Sequence, residues 1–75
     1  MTVPHPAGRD LPGVVATFHE HVGLGAIALD DGREVSFHST QLTDGTRRIE
    51  VGARVVARVV RWHRGELEAA SVTTA

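Results

Sequence analysis

The sequence has no cysteine, no lysine and no tyrosine, and its aromatic residues are one tryptophan and two phenylalanines. Without cysteine there is no disulfide framework and no thiolate zinc site. Without lysine, all eight basic residues are arginine; against nine acids they leave a net charge of −1 with histidine neutral. A protein that holds nucleic acid mainly by neutralising phosphates carries a positive excess. This chain has none, so any such affinity must come from a local patch. No apolar run approaches the roughly 18 residues of a membrane span, and the first residues lack an apolar signal core. A soluble, cytoplasmic protein with no membrane partner is therefore expected.

What is present is a short, β-rich chain. Seventy-five residues make one domain, and one this small buries only about 60% of the surface its unfolded chain exposes. All three prolines fall in residues 1–12, MTVPHPAGRDLP. Proline lacks an amide donor and restricts its predecessor, so 1–12 reads as a flexible N-terminal tail and 13–75 as the domain. GVVATF (13–18) is a β-branched strand. GAIAL (25–29) meets Asp30-Asp31-Gly32, and EVSFH (34–38) returns from it. Asp-Gly between two apolar runs is a strong hairpin signal. Residues 39–50 read as a long polar loop holding a helical turn. VGARVVARVVRW (51–62) fits a helix, with Arg54, Arg58 and Arg61 on one side, and also a strand with Val51, Ala53, Val55, Ala57 and Val59 on one face. Its density of valine and the His63-Arg64-Gly65 turn favour the strand. ELEAASVT (66–73) supplies a fifth. Five short strands, two of them joined by the tight Asp-Gly turn, indicate an all-β chain that forms a small closed or nearly closed barrel.

At this point the order of residues resembles a known frame. G-V-V-A-T-F-H at 13–19, V-G-L-G-A-I at 22–27, V-S-F-H-S at 35–39, and R-G through to A-A-S-V-T together resemble the cold-shock domain over about sixty residues. The resemblance implies an all-β, five-stranded antiparallel OB-fold barrel that binds single-stranded RNA or DNA, stacking bases on aromatic rings of the first three strands. Its second strand typically reads K-G-F-G-F-I and its third V-F-V-H-F. Here the ring positions hold Leu24 and Ala26 in the first motif and Ser36 and Ser39 in the second, with Thr17 in place of the first-strand tryptophan. Phe18 and His38 are retained, as are Gly23, Gly25, Ile27 and Val35. Phe37 stands where the family has an inward valine and is expected in the core. Each base–aromatic stack is worth about 1–3 kcal/mol. Losing two or three effective stacks would weaken binding by about two to four decades.

The candidate nucleic-acid-binding residues are therefore Phe18, Leu24, Ala26, Ser36 and His38 on the strands, with Arg61, Trp62 and Arg64 at the last turn. Phe18, His38 and Trp62 would make stacking or edge contacts; Arg61, Arg64 and Arg47 would meet phosphate. Trp62 is weighed against a role in covering one end of the barrel, because a lone tryptophan in a small domain usually buries area. His19, His21 and His38 together suggest a metal site only if the three rings converge; no metal and no cofactor is expected. No nucleophile turn, oxyanion nest or deep pocket is legible, so enzymatic activity is not expected. The alternative to nucleic-acid binding is a protein-interaction or self-assembly module. In that case Thr17, Leu24, Ala26 and Ser36 would form a smooth face for a protein partner or a second copy, giving a homodimer.

Overall fold

A computed structural model describes residues 9–45, 48–61 and 67–75. Five strands, β1 (Arg9–His19), β2 (Leu24–Leu29), β3 (Glu34–His38), β4 (Arg54–Arg61) and β5 (Leu67–Thr74), close into a barrel in the order β1-β2-β3-β5-β4. One 3₁₀ turn, Ser39–Gln41, follows β3. Among the described residues no helix is long and apolar enough to cross a membrane.

Alternation along each strand builds the interior. Val15, Ile27, Leu29, Val35, Phe37, Val55, Ala57, Val59, Ala69 and Val72 turn inward, and Leu42 joins them from the loop after the 3₁₀ turn. Phe37, with 1% of its surface exposed, is the largest fully buried side chain. β4 is thus a strand with its valines divided between its faces: Val55 and Val59 are buried, Val56 is exposed. It is shorter than the twelve residues expected. Val51 and Gly52 form a turn, and Val51 is exposed.

Two further expectations need correction. The barrel is not antiparallel throughout: β3 and β5 run parallel, registered at Ser36 and Glu68. A closed ring with an odd number of strands cannot alternate direction at every seam, so one of the five seams must be parallel. Residues 9–12, expected in the N-terminal tail, are strand instead: β1 starts at Arg9 and pairs Arg9–Val14 with β4. Pro12 is tolerated inside this strand for a geometric reason. Its carbonyl accepts the Asp30 amide at 3.0 Å, so its backbone polar edge faces the β2 side. Its missing N–H is therefore not taken from the ladder with β4.

The Asp-Gly hairpin forms as read. The Gly32 amide donates to Leu29 O and the Leu29 amide to Arg33 O, closing the turn. Asp31 accepts from the Arg33 backbone at 3.0 Å and from its guanidinium at 2.7 Å. These bonds hold the Asp31 carboxyl below its ordinary value of 3.8. A lowered carboxylate contributes stability above its unfolded titration, near pH 4, and loses it as pH falls through the lowered folded value. Arg33→Ala removes the guanidinium but keeps the backbone amide at position 33, so it should raise the Asp31 titration part of the way towards its ordinary value, followed by its side-chain carbon shift against pH. An unchanged titration would assign the effect to another group.

Candidate nucleic-acid interface

Cross-strand register decides which side chains share the outer face of β1–β3. Thr17, Ala26 and Ser36 lie side by side in one row; His19, Leu24 and His38 form the next. Leu24 is 52% exposed, and Val22, in the turn before it, is also exposed. Four of the expected strand residues, Leu24, Ala26, Ser36 and His38, are therefore brought together on one surface.

Phe18 is not on that surface. The row between the two outer ones is Phe18, Gly25 and Phe37, and it faces inward. The rings of Phe18 and Phe37 stack, with centroids 5.8 Å apart and planes at 6°. They meet across Gly25, where a Cβ would come within 2.6 Å of both Phe37 Cε1 and the Thr17 carbonyl oxygen. The empty position draws Phe18 inward and half-buries it against the core. A β-bulge between Val15 and Thr17 sets this parity, leaving Thr17 outward and Phe18 inward. Ser39, grouped with the lost outer rings in the sequence, is also buried. Its amide donates to Gly23 O at 2.7 Å.

His38 is held more tightly than any neighbour on the face. It caps the 3₁₀ turn: its Nδ1 accepts the Thr40 amide at 3.1 Å, and the Gln41 side-chain oxygen accepts the His38 amide at 2.9 Å. Thr40 Oγ1 lies 3.0 Å from the same Nδ1. On the other side the ring rests near Gly23, whose φ of 73° places it in the left-handed region. Thr40, Gln41 and Gly23 are thus part of the site although the sequence did not single out the first two. A histidine in a position normally taken by serine, threonine, aspartate or asparagine hides the capping pattern.

Among the described residues the charges do not form a basic patch. Arg33 pairs with Asp31, Arg48 with Glu20, Arg54 with Asp30 and Arg58 with Asp10, at 2.7–3.4 Å and all exposed. No arginine stands in the two outer rows. Glu68 adjoins Ser36, and Glu34 adjoins Ala28 at the edge of the same face. Arg61 ends β4 opposite Leu67, with β5 between it and β3. Arg47, Trp62 and Arg64 lie outside the described residues. The imidazoles do not gather: Leu24 separates His19 from His38 in their row. Among the described residues no group of three or more metal-competent side chains is present. Ser36 and His38 share a face, but the Nδ1 of His38 is engaged by Thr40.

No protein-family model matches this chain, and no curated protein matches it significantly.

Proposed function

We propose that this barrel binds single-stranded RNA or DNA, weakly, on the outer face of β1–β3, as a cold-shock-type domain that has lost its aromatic platform. The observation that carries the reading is the register: positions 17, 24, 26, 36 and 38, where the resembled family presents its ligand-facing groups, fall into two adjacent solvent-facing rows. Affinity is low because the rows hold no ring except the imidazoles and because the neighbouring arginines are paired with acids. Such a protein would work in the cytoplasm, where unpaired RNA is found and where the absence of cysteine carries no cost.

Amide NMR shifts during titration with short mixed-sequence RNA and DNA at low salt test this. Shifts at Leu24, Ala26, Ser36 and His38 that fade with salt are expected; their absence overturns the reading. A gain-of-function variant sharpens the test. Leu24 is exposed and flanked by His19 and His38, so Leu24→Phe restores one ring without entering the core. One restored stack is worth about 1–3 kcal/mol, or roughly 5- to 150-fold in affinity. Fluorescence anisotropy with a labelled oligonucleotide measures it, and no gain would mean that bases do not approach Leu24.

A second reading rests on the exposure of Val22 and Leu24 beside Ala26. A partner protein or a second copy would cover this aliphatic surface. Concentration-dependent shifts at Leu24 without any response to oligonucleotide would favour it.

A further inference from the structure

The two nitrogens of His38 are in different circumstances. Nδ1 receives the Thr40 amide and lies within bonding distance of Thr40 Oγ1. A backbone N–H only donates, so Nδ1 must present its lone pair, and a neutral ring then carries its proton on Nε2. Among the described residues the hydrogen bonds of the His38 ring are made at Nδ1. No side-chain nitrogen or oxygen among those residues is both buried and without a partner, so Nε2 is not sealed from solvent. Gln41 fixes the backbone of His38 from the other side. Gly23 leaves room for the ring, with Nε2 3.4 Å from where a Cβ at Gly23 would stand.

We propose that His38 divides its work between its nitrogens: Nδ1 caps the 3₁₀ turn, and Nε2–H is a directed hydrogen-bond donor to an acceptor atom on the edge of an unpaired base. Thr40 and Gln41 are the positioning residues that hold the ring in that tautomer. This inference rests on the nucleic-acid reading of the same face and makes it more specific. The ring serves as an edge reader beside the aliphatic Leu24, and not as the stacking surface or as a cation for phosphate. A neutral donor next to an exposed leucine suits a base, which brings an apolar face and a polar edge together.

The test uses the full chain labelled with ¹⁵N in its histidine rings. In the absence of ligand, His38 should show one acceptor-type nitrogen at Nδ1 and one protonated nitrogen at Nε2; a mixture of tautomers overturns the positioning role. On titration with a short uridine-rich oligonucleotide, Nε2 and its proton should shift while Nδ1 stays in place. Shifts confined to the ring carbons would mean stacking and would overturn the donor role. His38→Asn keeps a good capping oxygen for the Thr40 amide but removes the outward donor. It should fold with a thermal midpoint close to the parent's and bind the oligonucleotide about three- to tenfold more weakly, the range of one net hydrogen bond. Equal affinity in this variant overturns the donor role. Thr40→Val should loosen the tautomer preference and Thr40→Ser should restore it; a parent-like Thr40→Val spectrum would leave the positioning to backbone alone and overturn the part given to Thr40. If the parent chain binds no oligonucleotide, the nucleic-acid reading fails and takes the donor role with it, while the ring spectrum of the ligand-free chain still decides the tautomer.

Discussion

Gly25→Ala should lower the thermal midpoint by about 12 °C or more, at about 4–8 °C per kcal/mol in a domain of this size. The reason is local and steric. A Cβ at Gly25 would stand 2.6 Å from the Thr17 carbonyl oxygen and 2.6 Å from Phe37 Cε1. The first is backbone in the β1–β2 ladder; the second is a ring already fixed by the core and by Phe18. Neither can retreat without breaking pairing or packing, so the cost lies at or above the top of the usual overpacking range of about 1–3 kcal/mol. Gly45→Ala is the control. A Cβ there meets nothing within 4 Å, so only its φ of 77° opposes the change, at about 1–2 kcal/mol. Thermal unfolding followed by circular dichroism compares the two. Equal midpoints would show that the Phe18–Phe37 stack can move aside.

The largest loss is expected for Phe37→Ala. Phe37 is the largest side chain of the sealed interior, and truncating a buried phenylalanine costs about 3–5 kcal/mol. Marginal stability of about 0.05–0.15 kcal/mol per residue gives a chain of this length roughly 4–11 kcal/mol in all. The variant should therefore be largely unfolded at 37 °C, or lose roughly a third of its urea midpoint if the parent lies at the upper end of that range. Phe18→Ala should cost less, since Phe18 is only half-buried, and should leave oligonucleotide affinity unchanged where the variant is folded. A selective loss of binding in Phe18→Ala, with stability retained, would put Phe18 back among the ligand contacts. A parent-like Phe37→Ala would mean the core rests elsewhere.

Much of the barrel was legible because two local rules suffice for it. EVSFH (34–38) is β3 to the residue, since the Asp-Gly turn fixes where it starts and alternation fixes its buried face. The choice of strand over helix for β4 was decided by valine density, and the inward Val55, Ala57 and Val59 agree with it. The N-terminal boundary was misplaced because Pro12 carries a strong local signal against strands. Its tolerance depends on which edge of β1 faces a partner, and that is a relation between three strands. The outer face was legible in outline: Leu24, Ala26, Ser36 and His38 do share it. Phe18 was misassigned because one bulge residue reverses the parity of everything after it, and nothing in V-V-A-T-F announces a bulge.

By itself the sequence determined the local alternatives: strands, a tight hairpin, an inward Phe37, two motif glycines, and a face without aromatic rings. Five strands in a closed ring also require one parallel seam. Only the tertiary structure decided that this seam joins β3 to β5, that Phe18 turns inward across Gly25, and that Arg54 and Arg58 are paired with Asp30 and Asp10. The physical reason is the range of the interactions. Turn and strand preferences act within a few residues and leave a trace in the sequence. Seam direction, ring stacking and ion pairing join residues far apart in the chain, and they exist only once the barrel has closed.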